Sequence, residues 1–286
     1  MEKEENVIVK EKSKLKTFII NLAIIISIIM ASMYIYSRYI GTKKIVIKEY
    51  KIASNKIPKE FSGNKIVYFS DLLYGSSVFS EDLDYIKSKI NILKPDIVIF
   101  GGDLILKGFN LNDADKQKLT KFLEAIDSKL GKYGVLGSYD NEETIKLLES
   151  GNFILLDNKN EYIYNGETPI CLTFIGSYNN GDYKLDEALT CENHYNIVIS
   201  HEADITDNIL AKKSVDLILA GNTVGGEIRI PYYGGIFNFE GSKKYNDDYY
   251  ELGETKLFVS NGLGTKKVYK RFFNRPSISL FRLKSL

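Results

Sequence analysis

The stretch TFIINLAIIISIIMASMYIYS, from Thr17 to Ser37, carries no charge between Lys16 and Arg38. As a helix rising about 1.5 Å per residue it spans about 31 Å, the thickness of a bilayer's hydrocarbon core. It is apolar on every face rather than along one stripe, which separates it from an amphipathic helix packed on a soluble core. A cleaved signal peptide has a shorter apolar region followed by a small-residue A-x-A site, and no such pattern follows this run. The sequence therefore predicts an uncleaved single-pass membrane anchor over 17–37 after a short polar tail at 1–16. Lys10, Lys12, Lys14 and Lys16 precede the run, and Arg38, Lys43 and Lys44 follow it. That balance favours the tail inside and the domain in an extracytoplasmic location.

The chain has 286 residues, 44% of them hydrophobic and 12% aromatic, enough for one large domain after the anchor is set aside. It divides into a linker and lead-in over 38–63 and a domain over 64–286. With 38 basic against 37 acidic residues and the lysines scattered, nothing gathers phosphate backbones, so nucleic acid is excluded as a partner. Only two histidines occur, His194 and His201. A His-rich metal or acid–base site is thereby excluded, and His194, in the polar stretch CENHYN, reads as a surface residue. An outside location would permit a Cys171–Cys191 disulfide, but Cys171 lies in the apolar run ICLTFIG and reads more easily as a core residue.

KIVYFSD (65–71) is an apolar strand ending in a carboxylate, and Leu83, Ile86, Ile90 and Leu93 then recur at helical spacing. DIVIFGGD (96–103) is a second apolar strand ending in a carboxylate. The unit reads β-α-β with Asp71 and Asp103 at strand C-terminal ends, where open α/β sheets place their ligands. A helix around Leu119–Leu130 leads to the strand YGVL and the turn GSYDN. The strands ICLTFIG, YNIVIS, VDLILAG, KLFVSNG and SISLFRL follow, giving an α/β fold with a mixed sheet system. Asp71 and Asp103 equally suit capping of the turns behind their strands, and His201 equally suits a structural hydrogen bond. Asp140, Glu202, Asp204 and Glu227 flank these segments, acids from which an oxygen-rich site for Mg, Mn or Ca could be rebuilt.

In order and spacing, the blocks SDLLYG, FGGDLI, LGSYDN, ISHEAD and AGNTVGGEIRIP, closed by NGLGTKK and RFFNRPSISLFRL, resemble the calcineurin-like metallophosphoesterases. The likeness is to their membrane-associated bacterial branch, over about Lys65 to Leu283. Active members read approximately D-x-H, G-D, G-N-H-D/E, a lone H and G-H-x-H. The resemblance implies a four-layer sandwich, two mixed sheets flanked by helices, holding two divalent ions (Mn, Mg, Fe or Zn) side by side. Those ions would present a hydroxide to phosphorus while a histidine serves the leaving oxygen. Carried across, Asp71 matches the first carboxylate, Asp103 the bridging carboxylate and His201 the lone histidine. Leu73 stands at the histidine of the first block, Ser138 at the asparagine of the third, Tyr139 at the catalytic histidine, and Asn222 and Val224 at the paired histidines of the last.

Leu73 and Val224 ligate nothing, and Ser138 and Asn222 are weak oxygen donors. Loss of a single supporting residue costs about 10–100-fold in metal affinity or activity, so the departures imply a metal-free site with no assigned catalytic residue. The reading is a membrane-anchored pseudoenzyme, catalytically impaired, acting as a scaffold or as a binding module for a protein or a small phosphorylated ligand. The second reading is a metal-dependent phosphoester hydrolase with a rebuilt, His-poor site. An emptied site would leave Asp71 and Asp103 facing each other, so the side chains of Ser138, Tyr139 and Asn222 are expected to bond to them, assisted by Arg229 or a nearby lysine. Asp103→Asn would then leave stability unchanged or raise it by on the order of 1 kcal/mol.

Overall fold

The computed structural model describes residues 2–286, with side chains from residue 14 onward. Helix α1 (Glu2–Ile35) runs into a π-helical turn, Tyr36–Ile40. The stretch Lys14–Ile40 is long and apolar enough to cross a membrane, and its most apolar window is not buried against the domain.

The first half of the domain runs β1 (Val46–Ser54), β2 (Lys65–Phe69), α2 (Ser80–Asn91), β3 (Ile97–Phe100), α3 (Asp113–Glu124), β4 (Lys132–Gly134), α4 (Glu142–Ser150) and β5 (Phe153–Leu155). The second runs β6 (Lys159–Ile163), β7 (Ile170–Ile175), α5 (Leu185–Ala188), β8 (Asn196–Ser200), α6 (Thr206–Lys212) and β9 (Leu217–Ala220). A hairpin of β10 (Arg229–Ile230) and β11 (Gly234–Gly235) follows, then β12 (Tyr249–Leu252), β13 (Thr255–Val259) and β14 (Ser277–Ser285). Two six-stranded sheets result, ordered β1-β14-β2-β3-β4-β5 and β12-β13-β9-β8-β7-β6. Strands β2 to β5 pair in parallel, as do β7, β8, β9 and β13. The final strand β14 returns antiparallel to β2 and parallel to β1.

The segment read as a linker and lead-in, 38–63, contains β1, paired with β14 over its whole length. Within β1 the one buried residue is Ile52. With Lys48, Glu49 and Lys51 breaking the apolar pattern, an edge strand of this kind carries no strong period-two signal.

Strand alternation builds the layers. Val67, Phe69, Val98 and Phe100 point one way and pack with Leu83, Ile86 and Ile90 of α2, Leu119 and Leu123 of α3, and Leu148 of α4. Ile66, Tyr68, Ile97 and Ile99 point the other way and meet Leu172, Phe174, Ile197, Ile199 and Leu217 of the second sheet. On that sheet's far side Val198 and Ile218 pack with Leu185 of α5 and Ile209 of α6. These three cores separate four layers, helix, sheet, sheet and helix, as the resemblance implied. The helix starts are set by side chains: the Asn112 carboxamide accepts from Asp115 N, and that of Asn141 from Glu143 N and Thr144 N.

Cys171 and Cys191 are both buried and both free. His194 lies at the surface edge of the second sheet, its ring 5.3 Å from that of Tyr162.

Candidate metal centre

Parallel strands from both sheets end together, and the loops beyond β2, β3, β4, β8, β9 and β13 converge there. Asp71, Asp103 and His201 are brought together: all three are fully buried, and one ligand atom of each lies within 4.8 Å of the others. The backbone is bent sharply to achieve this. Asp71 (φ 50°), Leu73 (φ 47°), Asp103 (φ 59°), Asn222 (φ 64°) and Val224 (φ 46°) all lie in the left-handed region. For a β-branched residue such as Val224 this is a genuine outlier, held only because the surrounding loops over-determine it. Gly137 is required by close approach, since a Cβ there would stand 2.2 Å from Asp103 Oδ1.

Each carboxylate divides its oxygens. Asp71 Oδ2 accepts from Ser70 Oγ at 2.6 Å and Asn222 N at 3.0 Å, and Asp103 Oδ1 accepts from Tyr139 N at 2.8 Å. The amides that hold these oxygens belong to other loops, those of Asn222 and Tyr139, and not to the turns behind the carboxylates' own strands. The other two face Lys266, whose Nζ lies 3.2 Å from Asp71 Oδ1 and 3.0 Å from Asp103 Oδ2. The Lys266 ammonium also donates to Asn222 Oδ1 at 2.5 Å, and the Tyr139 ring centroid is 5.1 Å away. The Lys266 side chain is 2% exposed.

Lys266 was not assigned from the sequence beyond the expectation that a nearby lysine would assist, and the expected side-chain donors are a correction. Asn222 and Tyr139 reach the carboxylates through backbone N–H groups. The Asn222 amide nitrogen turns away to Glu240 O and Ser242 Oγ. Ser138 forms no side-chain hydrogen bond among the described residues, and Arg229 pairs with Asp247 instead. Leu73 and Val224 are buried and offer no donor.

His201 Nδ1 lies 2.6 Å from Gly101 O, a carbonyl that can only accept, so Nδ1 carries the proton. Nε2 then faces Asp103 Oδ2 at 3.1 Å. Burial alone would lower the imidazole's pKa, but the Asp103 carboxylate outweighs it and pushes it up to about 10. For Asp103, burial works against ionisation, yet the His201 and Lys266 cations hold it well below the usual carboxylate range. Lys266 is likewise raised, because Asp103 and Asp71 overcome its burial. The result is two carboxylates balanced by one ammonium and one imidazolium. Asp71 Oδ1, Asp103 Oδ2 and His201 Nε2 sit at ion-pair distance but in directions that complete no hydrogen bond.

The flanking acids do not rebuild an oxygen-rich site, because each is taken up by loop amides. Asp140 accepts from Asp103 N, Leu104 N and Gly137 N, and burial with the adjacent Asp103 charge raises it to about 6. Glu202 accepts from Ser177 Oγ and Tyr178 N. Asp204 holds the amides of Lys243, Lys244 and Tyr245. Glu227, fully buried, accepts from the amides of Lys266, Lys267 and Val268 and so aims the Lys266 loop. Beneath it the buried Arg271 donates to Val224 O, Asn261 O and Gly264 O.

No family model matches the chain. It is 30% identical over 260 residues to an uncharacterized metallophosphoesterase, YkuE of Bacillus subtilis strain 168, covering 88% of this chain and 90% of that protein. It is 26% identical over 227 residues to the phosphodiesterase YaeI of Escherichia coli K12, covering 77% and 82%. It is 24% identical over 294 residues to a transmembrane protein with metallophosphoesterase domain from Danio rerio, covering 92% of this chain and 62% of that one. With this identity spread over nearly the whole of both chains in the first case, and with two mixed sheets layered between helices, the chain belongs to the calcineurin-like metallophosphoesterase family.

Proposed function

We propose that this chain is a membrane-anchored member of the family in which the Lys266 ammonium takes the place of the metal ions, so that the domain acts by binding or scaffolding rather than by hydrolysis. The observation that carries this reading is Lys266 Nζ within 3.2 Å of an oxygen of both retained carboxylates. The Lys266 ammonium together with the His201 imidazolium leaves the two carboxylates no net negative charge to attract a dication. The apolar side chains of Leu73 and Val224 remove two further donors, so the residues present do not fit a two-metal centre. Tyr139 is a poor proton donor, because burial raises its phenol further. At the mouth, the exposed Lys107 lies 5.8 Å from the Tyr139 ring centroid, a cation available to a small phosphorylated ligand. Elemental analysis of the full chain, purified in detergent and dialysed, tests this: less than one equivalent of Mn, Fe, Zn or Mg is expected, and two retained ions per chain would refute it.

A second reading is favoured by the three convergent atoms that complete no hydrogen bond. Asp71, Asp103 and His201 would together hold one divalent ion if Lys266 swung aside, supplying a Lewis acid for phosphoester hydrolysis. One equivalent of metal, together with a phosphodiesterase activity abolished by Asp103→Asn, would favour it over the first.

We further propose that α1 anchors the chain with residues 1–16 inside and the domain outside, on the charge balance around the span.

A further inference from the structure

The end of α1 is docked on the domain. Arg271 N donates to Ser37 O at 2.9 Å, the rings of Phe272 and Tyr36 stand 5.9 Å apart edge to face, and Lys270 Nζ lies 4.5 Å from the Tyr34 ring centroid. The contact lies at the same end of the sandwich as the candidate metal centre. β14 runs antiparallel to β2, so its start at Ser277 lies beside the strand end that leads to Asp71. From Phe272 the surface continues onto the β10–β11 hairpin, since Arg229 N donates to Phe272 O. Phe273 lines one cavity with Tyr36 and a second with Tyr232 and Tyr233, so helix end and hairpin share one face.

That face is aromatic and exposed to a degree the rest of the domain is not. Tyr232 is 110% exposed, Tyr233 83% and Phe273 64%, with Ile230 and Ile236 also exposed. Three of its aromatics, Tyr232 (φ 68°), Tyr269 (φ 50°) and Phe273 (φ 51°), are held in the left-handed region. Bulky side chains strained in this way and pointed outward gain nothing from the chain's own core. Lys270 lies over Tyr34, Arg38 over Tyr39, and Arg275 lines the cavity that Phe273 shares with Tyr36; the two acids lining that cavity, Asp247 and Asp248, are paired with Arg229 and Lys48. Aromatic rings interleaved with basic residues at the end of an apolar span are the composition of the membrane–water interface.

We propose that the hairpin tip around Tyr232 and Tyr233, with Phe273 and Tyr269, seats in the interfacial layer of the bilayer that α1 crosses, holding the site end of the domain against the lipid. The inference rests on reading α1 as an anchor and deepens it by fixing the orientation of the domain.

The chain contains no tryptophan, so a single introduced indole reports its own depth. Three variants of the full chain, Tyr39→Trp at the helix end, Tyr233→Trp on the hairpin and Tyr164→Trp, are reconstituted in phosphatidylcholine–phosphatidylglycerol vesicles with and without brominated acyl chains. Tyr164 is exposed and follows β6 at the opposite end of the sandwich, where Asn165 reaches Glu60 O. The expected result is loss of most emission for Tyr39→Trp and Tyr233→Trp and little loss for Tyr164→Trp. Quenching of Tyr39→Trp without Tyr233→Trp overturns the docking face and leaves the anchor standing. Absence of quenching in both overturns the anchor and the docking face together, and equal quenching of all three overturns a single docking face.

Discussion

Lys266 Nζ lies 3.0 Å from Asp103 Oδ2, and the same ammonium spans the gap to Asp71. Where relatives are named for metal-dependent chemistry, this chain places a side chain of its own between the acids. The ion pairs are fully desolvated, so their energetics are dominated by what happens when one partner is removed.

Lys266→Met keeps the apolar stem and deletes the charge, leaving two buried carboxylates opposed. Breaking a buried pair in this way costs about 3–5 kcal/mol. Chemical denaturation in the presence of chelator should show a loss of that order; a loss below about 1 kcal/mol, the range of a surface ion pair, would mean the ammonium is not buried between the acids in solution.

Asp103→Asn is now expected to destabilise, reversing the direction that carboxylate repulsion alone suggests. The substitution leaves Lys266 and His201 without their shared partner, and the same loss of about 3–5 kcal/mol applies. The effect should be identical with and without chelator, because no metal is being lost. A mutant as stable as the wild type would restore the simple repulsion picture.

Glu227→Gln tests whether the loop is aimed by its carboxylate. Three amides converge on Glu227, two of them on Oε1. A carboxamide oxygen can serve some of these donors but its NH2 faces another, so a loss of about 1–3 kcal/mol is expected in thermal melts. No change would show that the loop holds its shape independently.

The α/β pattern and the two acids were legible because apolar strands ending in Asp71 and Asp103 announce both the sheet and the ligand end, while the place of His201 and the four layers followed only from the family resemblance. Lys266 was not, since a Lys-Lys pair after a strand reads as a solvated end, and only the convergence of six loops shows it to be buried. The left-handed backbone at Leu73 and Val224 was equally hidden, because neither residue type favours it. β1 was missed because Lys48, Glu49 and Lys51 interrupt its apolar positions without a regular alternation, on an edge that is barely buried.

Protease added to intact cells should cleave the domain while a reporter fused ahead of Lys16 stays protected. This follows from the charge balance around the span. Protection of the domain would reverse the orientation, and a shortened chain in the medium would indicate cleavage.

The most direct test of the Lys266 account is the response of thermal stability to Mn2+ in the full chain and in Lys266→Ala. The account predicts no shift for the wild type between chelator and Mn2+. Lys266→Ala, with Asp71, Asp103 and His201 freed to share one ion, should gain about 2.7 kcal/mol at a metal concentration a hundredfold above its dissociation constant. A metal-dependent rise in the wild type that disappears in Asp103→Asn would contradict it, because the carboxylates would then be holding a metal rather than Lys266.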